Sequence, residues 1–178
     1  IKTSIINEIV LDAFIETLPM DTILIIKNHP FVKQKFTCRE ESRGRVLDLT
    51  GQENINDILF LTSLLITDYS SCIFEASLLA VPMLFYVFDL EEYVKSRDIY
   101  FDFASFAPGK QVKDFELLKE ETVKILTVSG SRAEEQTEVS QVKLETEKRR
   151  KEFCEYFLGS LDGHSTERVT DLITGMGK

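Results

Sequence analysis

Thr22-Ile23-Leu24-Ile25-Ile26-Lys27 is a continuous apolar run bounded by polar residues. That pattern fits a strand buried on both faces of a parallel sheet better than the alternation of a half-exposed one. Pro82-Met83-Leu84-Phe85-Tyr86-Val87 repeats it further along, and Arg45–Leu49 and Leu64–Thr67 are shorter strand candidates. Around these runs the spacing is helical. Asn7–Leu18 sets Ile9, Val10, Ala13, Phe14 and Leu18 on one stripe and is closed by Pro19. Asn54 is placed to cap a helix through Leu61, and Ser71 one to Ala80. Asp89–Lys95 reads as a helical turn and Asp114–Thr127 as a longer helix. Strand followed by helix, joined by short loops, specifies an α/β fold: a Rossmann-like, doubly wound parallel sheet of four or five strands. Ligands in such sheets bind beyond the carboxyl ends of the strands.

The chain has 178 residues, about one domain's worth. With 43 % hydrophobic residues and 13 Phe it can fill one sizeable core, which excludes disorder as the main state. The longest apolar run, Leu78–Phe88, is interrupted by Pro82 and falls well short of the roughly 20 residues of a spanning helix. Ile1-Lys2-Thr3-Ser4 does not open a secretory signal, so a cytoplasmic location is expected. Twenty-one basic against 30 acidic residues give a net charge of −9, which opposes binding to nucleic acid. Locally the balance reverses. Lys27, Lys33, Lys35, Arg39, Arg43 and Arg45 face only Glu40 and Glu41, so a small anion could be held there. Cys38, Cys72 and Cys154 contain no C-x-x-C pair and suit reduced thiols, neither a disulfide scaffold nor a zinc site.

Residues 1–128 read as the α/β domain, and 129–178 as C-terminal helices packing on it. Ser129-Gly130-Ser131 marks the break. The charged stretch Arg132–Phe157, with sparse apolar positions at Val139, Val142, Leu144, Phe153 and Phe157, is expected to lie on the surface. A turn at Gly159–Gly163 precedes a last helix from Ser165 to Ile173.

Three segments could carry chemistry. Lys27-Asn28-His29-Pro30 follows the first strand, and Pro30 biases His29 away from helical dihedrals, displaying its ring at the carboxyl end. His29 could serve charge or proton transfer, with Lys27 neutralising phosphate; a loop histidine bonded to backbone is the alternative. Asp68-Tyr69-Ser70-Ser71 offers hydroxyls and helix-start N–H groups to an anion, unless Ser71 is a simple cap and Asp68 a turn former. Glu75, one turn on, could bond a sugar or alcohol hydroxyl or merely favour the helix dipole. The loop from Asp89 to Gly109 is aromatic and acidic, as a lid over a nucleotide or a satellite core would be, and its Arg97 could contact phosphate. His164 reads as a surface histidine. No histidine stands predictably beside a thiol, so a cysteine nucleophile is unsupported.

Taken in order, these motifs resemble the C-terminal half of the CDP-glycerol glycerophosphotransferase family, the teichoic-acid primases and polymerases of bacterial cell-wall synthesis. The resemblance runs from about Thr22 to Ile173. Lys27–Pro30 stands where the family has lysine-proline-histidine-proline, and Asp68–Ser71 matches its aspartate-tyrosine-serine-serine signature. Phe74-Glu75-Ala76 through Tyr86 resembles the following helix and strand. Asp89, Tyr93, Arg97, Tyr100, Asp102, Pro108 and Gly109 fall at the family's spacing, and Asp162-Gly163 with Arg168-Val169 resembles its closing segment. Asn28 replaces a proline, Glu75 an aspartate and Asp98 a glycine.

The resemblance implies one half of a GT-B fold and a metal-independent, inverting transferase that needs no cofactor. It would pass glycerol phosphate from CDP-glycerol to a teichoic-acid or related polymer or lipid-linked acceptor, at the cytoplasmic face of the membrane. His29 would be catalytic. Lys27, Asp68, Ser70, Ser71, Glu75, Arg97, Pro108 and Gly109 would bind the donor, with cytidine near Asn54–Asp57 or Pro108-Gly109. The acceptor site and general base would belong to an N-terminal half upstream of Ile1, so this chain alone is expected to bind donor without transfer. Two alternatives stay open: a non-catalytic nucleotide-binding module of GT-B ancestry, and a transferase using CDP-ribitol or a nucleotide sugar for capsule polymers.

Overall fold

Helices and strands follow one another in the order α1 (Leu11–Thr17), β1 (Leu24–Ile26), α2 (Glu40–Arg43), β2 (Val46–Asp48), α3 (Ile55–Leu59), β3 (Leu65–Thr67), α4 (Ile73–Leu78), β4 (Met83–Tyr86), α5 (Leu90–Ser96), α6 (Phe103–Phe106), β5 (Lys110–Val112), α7 (Phe115–Gly130), α8 (Thr137–Phe157) and α9 (Ser165–Gly175). This computed structural model describes residues 10–29, 36–52, 54–96, 102–130 and 137–175.

Every strand pairing is parallel, as the two-sided apolar runs predict. β1 pairs with β2, Leu24 opposite Val46. β3 pairs with β4, Leu65 opposite Met83, and β4 with β5, Leu84 opposite Lys110. The five strands form two ladders, β1-β2 and β3-β4-β5, where one continuous sheet was expected. Strands this short carry few ladder bonds, and side chains bridge the ladders instead: Leu24 of β1 and Leu64 and Ile66 around β3 pack on the same cluster as Leu84 and Tyr86.

β4 is the strand buried on both faces, all four residues being covered. Because side chains alternate along a strand, Met83, Phe85 and Val87 face one layer, where they meet Leu59 of α3, Ile73 and Ala76 of α4, Phe103 of α6 and Phe153 of α8. Leu84 and Tyr86 face the other, against Phe14 of α1, Leu118 of α7 and Val112 of β5. β1 is less covered than its sequence suggests. Leu24 and Ile26 pack beneath α1, whereas Ile23 is 53 % exposed.

Local signals explain most helix ends. The Asn54 side chain accepts the Asn56 N–H at 3.0 Å, capping α3 as expected. α4 stops at Leu78, before the expected Ala80. Ala80 takes a left-handed φ of 54°, its N–H donates to the Ser77 carbonyl, and the Val81 N–H donates to Ala76. That is a Schellman ending, sealed by Ala76 and Val81 in the core, with alanine where glycine is usual. α7 runs through Gly130, so the break begins later than Ser129. α8 is more than a surface helix. Leu144 is exposed, but Phe153 is 3 % exposed and, with Phe157, rings Phe74 at centroid distances of 5.3 and 5.8 Å. Its Arg150 also donates to the Ser77 carbonyl at 2.7 Å, tying α8 to the end of α4. α9 carries no buried residue, so of the two C-terminal helices only α8 packs on the domain.

Glu121 of α7 is nearly buried between Lys110 of β5 and Lys124, at 2.8 and 2.7 Å. Burial alone would raise its carboxyl, but the hydrogen bonds and charges of the two lysines outweigh it and hold the group below the usual 4.5. The folded state thus binds this proton less readily than the unfolded chain. The contribution is present above the unfolded value and is lost as pH falls through the depressed one. In urea denaturation between pH 7 and 3, stability is expected to drop below about pH 4.5, with Glu121→Gln showing a shallower drop and a lower plateau at pH 7.

Candidate functional site

The carboxyl ends of β1 and β2 are tied together. The Leu49 N–H donates to the Ile26 carbonyl at 2.9 Å, and Lys27 Nζ donates to the Leu49 carbonyl at 3.3 Å. The Asn28 N–H donates to Thr50 Oγ1 at 3.1 Å, and the Thr50 N–H to Asp48 Oδ1 at 2.9 Å. Gly51, with φ of 75°, lets this turn close. His29 follows directly and is exposed at the strand end. Thr50 is a residue sequence reading passed over; the Asp-x-Thr-Gly turn signal at 48–51 was there to find.

Asp68–Ser71 extends from the carboxyl end of β3 into α4. Ser70 Oγ accepts the Cys72 N–H at 3.4 Å. Ser71 is exposed, and its carbonyl, not its hydroxyl, receives the Phe74 N–H at 3.1 Å. The expected side-chain cap by Ser71 is therefore not made; Cys72 occupies the cap position. Tyr69 reaches across to the end of β4. Its hydroxyl donates to Asp89 Oδ1 at 3.0 Å, its ring stacks on Tyr93 at 3.7 Å, and Phe103 meets it edge-on at 5.2 Å. Burial, the bond to Asp89 and the charges of Asp89 and Asp68 push the Tyr69 hydroxyl far above its ordinary range, so it is a fixed donor. Glu75, in the first turn of α4, is part-buried, and its Oε2 has no hydrogen-bond partner among the described residues. Such an atom calls for an explanation.

Pro108 and Gly109 do not join this edge. They precede β5, beside the start of β4, at the amino edge of the ladder. Pro108 is fully buried, and a Cβ on Gly109 would lie 2.3 Å from the Met83 carbonyl oxygen. Close backbone packing accounts for both positions, which lie apart from the carboxyl-edge turns. Asn54–Asp57 opens α3 after β2. Arg97, Asp98 and Tyr100 lie outside the described residues. Of the expected lid, Phe103 is buried and Phe106 packs against the main core cluster, so these aromatics are core.

Of the basic segment, Lys33 and Lys35 lie outside the described residues, and Arg39 and Arg45 are engaged by the scaffold. Arg45 donates to the carbonyls of Ile15, Leu18, Pro19 and Thr22, and Arg39 pairs with Glu16 at 3.0 Å. His164 is exposed, with Nδ1 2.9 Å from Glu167, and Asp162 is paired with Arg168 at 2.7 Å. A groove of about 310 Å³ bounded by Phe60, Thr62, Leu79 and Pro82 lies at the amino edge, opposite the motif-bearing turns, and is lined by none of their residues.

The chain is thus a parallel α/β domain that carries a histidine turn and a serine turn at the carboxyl ends of its strands. The chain belongs to the CDP-glycerol:poly(glycerophosphate) glycerophosphotransferase family, whose model matches residues 2–175. It is 46 % identical over 98 residues to the teichoic acid ribitol-phosphate polymerase TarK of Staphylococcus aureus, covering 55 % of this chain and 19 % of that protein. It is 36 % identical over 154 residues to the teichoic acid ribitol-phosphate primase of Bacillus spizizenii, covering 86 % of this chain and 35 % of the relative. The fold matches the wall teichoic acid polymerase TagF with a TM-score of 0.69 at 19 % identity, over 95 % of this chain and 39 % of that one. The chain therefore spans well under half the length of these relatives.

Gly109→Ala is expected to lower the melting temperature by several degrees, since a backbone carbonyl must yield to the new Cβ. An unchanged thermal transition would contradict the packing role.

Proposed function

We propose that this chain is the donor-binding part of a transferase that moves glycerol phosphate from CDP-glycerol to a teichoic-acid or related cell-surface polymer. The observation that carries it is the Ser70–Ser71 turn at a strand's carboxyl end in a member of this family: the exposed Ser71 hydroxyl is not spent on capping α4. In this reading Ser70, Ser71 and Lys27 hold the diphosphate, Asp68 shapes the turn, and Arg97 adds charge. Glu75 takes a donor hydroxyl on its unpartnered Oε2. Residues 1–128 form the donor unit, with 129–178 as its helical addition.

The acceptor hydroxyl attacks the phosphorus that carries glycerol, the bond from that phosphorus to the bridging oxygen breaks, and CMP departs. His29 and the serines donate to the oxygens on which charge grows, which is where fixed donors accelerate most. The acceptor proton passes to a base in the portion of the longer relatives that this chain does not cover, and the reaction takes place at the cytoplasmic face of the membrane. Among the described residues no helix is long and apolar enough to cross that membrane. A second reading, CDP-ribitol as donor, is favoured by the 46 % and 43 % identities to ribitol-phosphate polymerases.

Calorimetry of this chain with CDP-glycerol, CDP-ribitol and UDP-sugars is expected to show binding of a CDP-alcohol. Ser71→Ala should weaken it by about 1.5–3 kcal/mol, the value of a hydrogen bond to a charged oxygen; unchanged affinity would reduce Ser71 to a turn residue. In the intact enzyme His29→Ala should lower kcat far more than it weakens donor binding, because its bond strengthens as CMP leaves. A raised KM with kcat unchanged would remove His29 from catalysis.

A further inference from the structure

We infer that Asp89 is a positioning residue for the donor site, holding the Ser70–Ser71 turn in place through Tyr69. The inference rests on the donor-site reading above. Tyr69 lies inside the turn, between Asp68 and Ser70, yet its side chain is anchored 20 residues away, where its hydroxyl donates to Asp89 Oδ1 at 3.0 Å. Its ring stacks nearly parallel on Tyr93 at 3.7 Å and makes a T-shaped contact with Phe103 at 5.2 Å. Phe103 is buried and rests on Phe85 of β4 at 5.5 Å. Asp89 and Tyr93 are one helical turn apart, the Tyr93 N–H donating to the Asp89 carbonyl at 2.9 Å, so the start of α5 supplies both the acceptor and the stacking ring.

The side chain in the middle of the serine turn is therefore held at its tip and on its face by the next strand's exit loop. The turn's own side-chain bond, from the Cys72 N–H to Ser70 Oγ, is long at 3.4 Å. A bond of that length is weak, whereas the Tyr69 hydroxyl bond to Asp89 at 3.0 Å has ordinary length and ties the turn to a second element. Asp89 is also a carboxylate near a site read as binding a diphosphate. Its charge alone opposes that ligand, whereas its hold on Tyr69 favours it. The two effects have opposite signs, and removing the side chain separates them.

The test measures CDP-glycerol affinity by calorimetry and cytidine affinity by NMR titration, for wild type and for Tyr69→Phe, Asp89→Ala, Asp89→Asn and the double variant Tyr69→Phe/Asp89→Ala. Tyr69→Phe keeps the ring stack and loses only the hydroxyl, so it reports even if Asp89→Ala fails to fold. Positioning predicts CDP-glycerol binding weakened about tenfold in Tyr69→Phe and in Asp89→Ala, no further loss in the double variant, and cytidine binding unchanged. Asp89→Asn, which keeps an acceptor, should stay within about twofold of wild type. CDP-glycerol bound as well or better by Asp89→Ala would overturn the inference, since only the charge would then matter. Equal losses for cytidine and CDP-glycerol would overturn it too, as a general structural defect. If Ser71→Ala weakens CDP-glycerol binding while Tyr69→Phe does not, positioning fails and the donor site stands; if Ser71→Ala has no effect, the donor-site reading fails and takes the inference with it.

Discussion

Phe85 has no exposed side-chain surface, nor has Leu84 beside it on the opposite face of β4, and this double burial is the constraint from which the architecture follows. A strand buried on both faces needs two apolar layers. Parallel neighbours need crossovers long enough to pass over a face, and helices serve both needs at once. Phe14 and Leu118 supply one layer, and Ile73, Phe103 and Phe153 the other. With helices committed to the faces, only the two strand edges are left for polar work.

The edges have divided that work unequally. At the amino edge of the β3-β4-β5 ladder the backbone closes on itself: Gly109 approaches the Met83 carbonyl as only glycine can, and Val81 seals the end of α4. At the carboxyl edges the strands run out into turns rich in side-chain donors and acceptors, Lys27–His29 against Leu49–Thr50 and Asp68–Ser71 against Asp89. Polar groups of the fold are otherwise met by long-reaching arginines, Arg45 collecting the carbonyls after α1 and Arg150 the Ser77 carbonyl. Among the described residues three buried side-chain oxygens have no partner, Ser77 Oγ, Thr122 Oγ1 and Glu75 Oε2, and of these Glu75 lies in the first turn of the helix that starts from the serine turn.

Parallel pairing, the order of strands and helices, and the placement of His29 and Asp68–Ser71 at strand ends were legible in the sequence. Each depends on a local signal: the two-sided apolar run, the helical stripe, the change from apolar to polar that marks a carboxyl end. β5 and α6 were not. Lys110-Gln111-Val112 buries Val112 alone and has no apolar run to announce it. Phe103–Phe106 is a single turn whose rings are held by Phe85, Tyr69 and Phe153 from three other elements. Phe103 and Phe106, compatible in sequence with either a lid or a core, became core because they cover the β4 face.

The sequence by itself determined the parallel α/β class, the placement of the His29 and Ser70–Ser71 turns at strand carboxyl ends and the family to which the chain belongs, because periodicity and short ordered motifs are properties of neighbouring residues. Tertiary structure alone decided which motif residues share that edge. It sent Pro108-Gly109 to the amino side, spent Arg45 and Arg39 on the scaffold, and joined Tyr69 to Asp89. Each of these outcomes rests on a contact between residues well separated in the chain, and no local pattern encodes such a distance.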